Sequence, residues 1–154
     1  MLLNSLQMLP NFNTIFPELP SHSRVWLYLA DRPMDDTELN FAYEKLELFL
    51  SGWAAHNKKL SCDGTILFSQ YLILCVDESV ENASGCSVDS SVRFVKTLGQ
   101  ELNIDFFNRM NVLVIENNKT KTENYFEASN AKITFFNPLI ENIGQLRNEW
   151  VLNR

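Results

Sequence analysis

Two stretches of the chain are apolar without a break: residues 25–30 (Val-Trp-Leu-Tyr-Leu-Ala) and 71–76 (Tyr-Leu-Ile-Leu-Cys-Val). A run with no polar alternation suits a strand buried on both faces, in the middle of a sheet. Residues 60–68 read differently. Leu60, Cys62, Ile66 and Phe68 fall on one side and Ser61, Asp63 and Thr65 on the other, so one face is wet, as in an edge strand. A tight turn near Ser69 joins this strand to the run at 71. Residues 110–116 predict a further strand and 133–136 a short fifth one, with 117–122 as a polar loop between them.

Helical spacing appears three times. Leu39, Ala42, Leu46, Phe49, Leu50 and Trp53 make one stripe; Asp35 or Asp36 starts it, Glu38 completes a capping box, and His56 and Asn57 close it. Val88, Val92, Val95, Leu98 and Leu102 make a second stripe, and Ser84, Ser87 and Asp89 can all cap its start. Gly99 falls inside this helix, where glycine costs about 1 kcal/mol relative to alanine. The third stripe is Leu139, Ile143, Leu146 and Trp150, with Asn137 as N-cap and Pro138 at the first helical position.

The resulting order is strand, helix, strand, strand, helix, strand. It predicts an α+β fold, a ferredoxin-like βαββαβ antiparallel sheet with a C-terminal strand and helix extension over 120–154. In that plan the first and third strands are central, where the unbroken runs fall. The expected organisation is a lead-in over 1–22, with three prolines, followed by a single domain over 23–154. A ferredoxin-like sheet carries both helices on one face, yet the two runs are apolar on both faces. The segment containing Phe135, Phe136 and the third stripe is therefore expected to cover the second face, alone or with a second subunit. Residues 1–16 are a weaker candidate for the same place.

The length of 154 residues fits one core, and 45% apolar and 21% charged residues are ordinary for a globular chain. The net charge of −6 argues against nucleic acid or an anionic membrane surface as partner, since both call for a basic footprint. No apolar run approaches the ~20 residues of a membrane helix. The N-terminus lacks the basic start of a secretory signal, and the three cysteines contain no CxxC, so a reducing cytoplasmic setting is expected.

Two groups of residues are candidates for chemistry. Asp77, Ser84, Gly85, Cys86, Ser87, Asp89 and His56 are expected at one end of the sheet, where the free N–H groups of a helix start favour an anion or a thiolate at Cys86. A Cys86–His56–Asp77 set would suit nucleophilic catalysis. The plainer alternative is a small residue in a capped turn. Arg32 and Arg109, with Asp31 and Asp105 near, are expected at the opposite end, as an anion clamp or as an ion-pair cluster tying loops together. Cys/His spacing of the kind zinc needs is absent, and no metal or cofactor is expected.

Residues 16–20 (Phe-Pro-Glu-Leu-Pro), 24–26 (Arg-Val-Trp), 31–33 (Asp-Arg-Pro), 53–56 (Trp-Ala-Ala-His), 76–79 (Val-Asp-Glu-Ser), 83–91 (Ala-Ser-Gly-Cys-Ser-Val-Asp-Ser-Ser) and 105–109 (Asp-Phe-Phe-Asn-Arg) together resemble a family of small uncharacterised bacterial proteins. The resemblance runs from about residue 16 onward. Some members of that family carry the description "ABC transporter ATPase". The residues do not support it: none of Gly52, Gly64, Gly85, Gly99 and Gly144 begins a Gly-x-x-x-x-Gly-Lys-Ser/Thr phosphate loop. The function expected is a non-enzymatic module that binds a protein partner or itself as a homodimer. The alternative is a small-molecule or anion-binding protein, thiol-dependent or not, centred on the loop 84–89.

Overall fold

The run at 71–76 lies in β5 (Tyr71–Asp77), buried from Tyr71 through Val76 and flanked on both edges. The order is β1-β5-β4, with β1 (Arg24–Leu29) and β4 (Ser61–Leu67) both antiparallel to it. The computed structural model describes residues 12–128 and 132–153 and shows a mixed α+β chain with antiparallel sheets. α1 (Asp36–Gly52) joins β1 to a small hairpin of β2 (Ala54–Ala55) and β3 (Lys58–Lys59), and α2 (Gly85–Leu102) follows β5.

Alternation sorts the side chains of β5 into two cores. Leu72, Leu74 and Val76 pack with Ala42 and Leu46 of α1 and with Val95 and Leu98 of α2. Tyr71, Ile73 and Cys75 face the other way, against Phe136, Ile140, Ile143, Leu146 and Trp150. The C-terminal segment thus covers the second face, as the two-sided runs demand. It has help from Phe12, Phe16 and Leu19, which are buried in the same core. Arg147 holds that lead-in down: its guanidinium donates to the carbonyls of Ile15, Phe16 and Leu19. Residues 1–11 lie outside the described residues.

The fourth strand departs from the ferredoxin-like order. β6 (Asn111–Glu116) pairs with β7 (Lys119–Asn124) on one edge and with β8 (Thr134–Phe136) on the other, so it has no edge left for β1. β9 (Val151–Asn153) completes a second sheet of order β7-β6-β8-β9. β7 replaces most of the expected loop 117–122. Asn117 and Asn118, at φ 52° and 62°, form the two-residue turn that local pairing needs. The start of β1 instead meets residues 141–142, where Val25 N–H donates to the Glu141 carbonyl at 2.9 Å.

Other boundaries shift for local reasons. Asp35 caps α1 with the capping box formed by Glu38, but the helix ends at Gly52, and His56 and Asn57 make the left-handed turn of the β2–β3 hairpin. Phe68 leaves the face of Ile66 because it sits at φ 57° in the turn before β5, and its ring joins Phe136 (4.9 Å) and Trp150 (6.4 Å). Asn137 does not start the last helix. Its side chain accepts from Leu139 N–H in a local turn, Leu139 is 74% exposed, and α4 (Ile143–Asn148) is capped by Asn142. A one-turn helix, α3 (Tyr125–Ala128), follows β7.

Gly99 is required rather than tolerated. A Cβ there would lie 2.5 Å from the Ile104 carbonyl oxygen, because the chain folds back over the helix end after Asn103, at φ 55°. Gly99→Ala is expected to destabilise by about 1–3 kcal/mol, an overpacking cost that outweighs the ~1 kcal/mol gained in helix propensity. A chemical-denaturation midpoint above that of the native sequence would contradict the close approach.

Candidate functional site

At the loop end Ser84, Ser87 and Glu78 are spent on the fold. Ser84 is the N-cap of α2, and its Oγ accepts from Ser87 N–H at 3.1 Å. Ser87 is buried, its Oγ donates to the Ser84 carbonyl, and its own carbonyl accepts from Trp53 Nε1 at 2.9 Å. That bond ties the end of α1 to the start of α2. Glu78 accepts from Ala83 N–H and closes the loop from below. Gly85 and Cys86 are exposed in the first turn; Asp89 is exposed a turn further on, past the N–H groups a cap serves.

Asp77 ends β5 and accepts from both the N–H and Oγ of Ser79. Those bonds, with His22 Nε2 at 3.4 Å as a smaller contribution, hold its carboxyl below its usual range. The histidine beside Asp77 is thus His22 and not His56. His56 is exposed on the hairpin turn, near the loop in the sense that Lys58, two residues on, lies 3.8 Å from Glu81. Among the described residues no hydrogen bond or ion pair joins Cys86, His56 and Asp77, and no three His, Cys, Asp or Glu side chains converge as metal ligands would.

The three cysteines differ in their surroundings. Burial pushes the Cys62 thiol up, partly offset by Lys59, whose Nζ lies 3.3 Å from its sulfur. Burial raises Cys75 much further. Cys86 is exposed.

At the opposite end Arg32 forms a two-pronged pair with Glu38, at 2.9 and 2.8 Å, and also donates to the Leu102 carbonyl at 2.8 Å. One guanidinium therefore joins the capping box of α1 to the last turn of α2. The Arg32 bonds come first among the causes that lower the Glu38 carboxyl from 4.5 to about 2. Arg109 is exposed and does not share this pairing; its charge acts on Tyr28, whose hydroxyl burial pushes up. Asp31 and Asp105 are joined through the backbone: Asp31 N–H donates to the Asp105 carbonyl, and Asp105 N–H to Asp31 Oδ1. The structure thus brings the 31–33 and 105–109 stretches together through Asp31 and Asp105.

Beside that junction lies an open cavity of about 470 Å³, lined by Asp31, Lys96, Gln100, Asn103, Asp105 and Phe107 among others. Sequence reasoning missed it. The signal was the fold-back forced by Gly99 and Asn103, which hollows the surface between the helix end and residues 104–107. No helix among the described residues is long and apolar enough to cross a membrane. No protein-family model, curated protein or solved structure matches the chain.

Three measurements check this geometry. Ser84→Ala is expected to cost about 0.5–2 kcal/mol and Asp89→Ala under about 0.5, and equal costs in denaturant melts would misplace the cap. Alkylation of the native protein is expected at Cys86 before Cys62, with Cys75 protected until unfolding; early labelling of Cys75 would contradict its burial. Glu38 has a lowered folded pKa, so its contribution to stability is present above about 4.5 and is lost as pH falls towards about 2. A carboxyl NMR titration should put Glu38 near that lower value and move it upward in Arg32→Gln; no movement would remove Arg32 as the cause.

Proposed function

We propose that this chain is a non-enzymatic interaction module that associates with a second copy of itself, in a reducing cytoplasmic setting. The observation that carries this reading is the end surface around residues 107–110 and α3. Phe107, Met110 and Phe126 are 36%, 39% and 64% exposed there, beside exposed Arg109. Tyr125 N–H donates to the Met110 carbonyl at 2.6 Å and so sets α3 against that stretch. Aromatic side chains, methionine and arginine are the types that supply interface anchors. Exposed Glu127 lies in α3 and exposed Asp105 two residues before Phe107, so the surface carries both signs of charge. A two-fold pairing uses such a patch against itself, with arginine facing carboxylate. The free state of Cys62, Cys75 and Cys86 supports the reducing setting.

A second reading, a small-molecule-binding protein, draws support from the cavity of about 470 Å³ rather than from the filled loop 84–89. Two carboxylates and the C-terminal end of a helix, against the single ammonium of Lys96, suit a cationic group there better than an anion. We also read the first six long elements as a ferredoxin-like plan whose fourth strand has been drawn into the second sheet. Its support is the order of those elements, the β1-β5-β4 pairing and the shared core of α1 and α2.

The test is mass against concentration by light scattering. The native chain is expected to pass from single to double mass. Arg109→Glu with Phe126→Ser is expected to weaken that step by about 100-fold, the equivalent of roughly 2.8 kcal/mol. A native chain that keeps single mass at every concentration, or a double variant that pairs as well as the native one, would overturn the proposal.

A further inference from the structure

The cavity beside the junction of Asp31 and Asp105 has two walls of different origin. One is a stripe of α2: Lys96, Gly99 and Gln100 recur at three- and four-residue spacing, and Asn103 ends the helix at φ 55°. The other is the returning chain, which carries Asp105. Asp31 is clasped to it by two hydrogen bonds, from its own N–H to the Asp105 carbonyl at 3.0 Å and from Asp105 N–H to its Oδ1 at 3.2 Å. Between the walls, Val95, Ile104 and Phe106 are buried and supply an apolar floor. The space is built into the fold. Helix and returning chain meet at Gly99, where the Ile104 carbonyl oxygen stands 2.5 Å from the place of a Cβ, and the Phe107 ring at the rim packs edge-on against Tyr28 at 5.6 Å.

The ionic groups of the two walls do not neutralise one another. Among the described residues no ion pair takes Lys96, Asp31 or Asp105, and Arg32, at the same helix end, is committed to Glu38. Both carboxylates are oriented by the main chain. Asp31 Oδ1 accepts from Asp105 N–H, Asp105 Oδ1 accepts from Phe107 N–H at 2.8 Å, and Oδ2 of each takes no hydrogen bond among the described residues. A space of about 470 Å³ with an apolar floor and a few fixed polar groups has the form of a small-molecule site. We infer that this cavity binds a free α-amino acid with an apolar side chain, its ammonium towards Asp31 and Asp105 and its carboxylate towards Lys96.

The chemistry of the walls selects that ligand. An ammonium has three donors, and the two carboxylates supply acceptors of opposite charge. The C-terminal end of α2 adds the negative end of its dipole. A ligand carrying an ammonium alone would leave Lys96 beside it as a like charge. A carboxylate removes that conflict, with the Gln100 amide on the same helical stripe as a further donor. A ligand carrying a carboxylate alone would meet two like charges on the opposite wall. An α-amino acid bears both charges about one carbon, and its side chain is left for Val95, Ile104 and Phe106. The assignment rests on the small-molecule reading above and adds the class of ligand to it.

The experiment titrates the native chain with three probes: L-leucine, isoamylamine, which is leucine without its carboxylate, and 4-methylpentanoate, which is leucine without its ammonium. Amide shifts are read by NMR at Gly99, Asn103, Asp105 and Phe107. Leucine is expected to saturate those shifts, with isoamylamine roughly fivefold weaker, as the loss of one exposed ion pair implies, and 4-methylpentanoate weaker still. Lys96→Gln is expected to weaken leucine by about fivefold and isoamylamine not at all. Asp105→Asn, whose Oδ1 still accepts from Phe107 N–H, is expected to weaken both. Lys96 is exposed, so its variant keeps the test open where the Asp105 variant does not fold. Isoamylamine binding as tightly as leucine, or Lys96→Gln binding leucine as the native chain does, overturns the inference and leaves the cation-site reading standing. 4-Methylpentanoate binding as tightly as leucine overturns it by removing Asp31 and Asp105 as partners of the ammonium. No saturable shift at those amides with any probe overturns the inference and the small-molecule reading together.

Discussion

A strand that is apolar on both faces must be covered on both, and β5 sets that requirement for the whole chain. Tyr71, Ile73 and Cys75 point one way and Leu72, Leu74 and Val76 the other. Leaving one such face in water would forgo roughly 1.5–3 kcal/mol for each large apolar side chain, against a typical net stability of about 5–15 kcal/mol. The helices can cover only the side they share. The rest of the chain is arranged to cover the other.

That arrangement explains the second sheet. To bring Phe136, Ile143, Leu146 and Trp150 onto β5, the chain leaves α2, runs through β6 and turns back twice. β7 and β8 fill the edges of β6 on the way. The cover is aromatic at its centre: Trp150 lies 4.6 Å from Phe136, 5.0 Å from Phe12 and 5.2 Å from Tyr71. Two arginines then fasten pieces distant in sequence. Arg147 holds residues 15–19 onto α4, and Arg32 holds the end of α2 to the start of α1. Both take backbone carbonyls, and Arg32 adds a carboxylate. The guanidinium fork can satisfy several acceptors at once. These side chains and the serines of the loop 84–89 are committed to the fold.

What could be read from the sequence was whatever is local or periodic. The two unbroken runs marked β1 and β5, the Asp35–Glu38 box marked α1, and the two-sided burial of β5 implied the C-terminal cover. What could not be read depends on partners far away in the chain. β7 is Lys-Thr-Lys-Thr-Glu-Asn, too polar to announce a strand, and only the Asn117-Asn118 turn hinted at it. Gly99 looked like a poor helix residue because Ile104, which it accommodates, returns only after the helix ends. Asn137 and Asn142 are equally good caps by type, and packing of Ile143 chose between them. At the candidate site, the proximity of the two loops near Asp77 was legible, but the identity of its histidine was not, since His22 reaches it across the fold.

The cover over the second face of β5 can be tested by ending the chain at residue 136. This removes Ile140, Ile143, Leu146 and Trp150 while leaving both helices and the β1-β5-β4 sheet in sequence. The truncated protein should bind a hydrophobic dye strongly and lose its cooperative thermal transition, because Tyr71, Ile73 and Cys75 are then exposed. A truncation that melts cooperatively at the temperature of the intact chain and binds no dye would show that β5 does not depend on this cover.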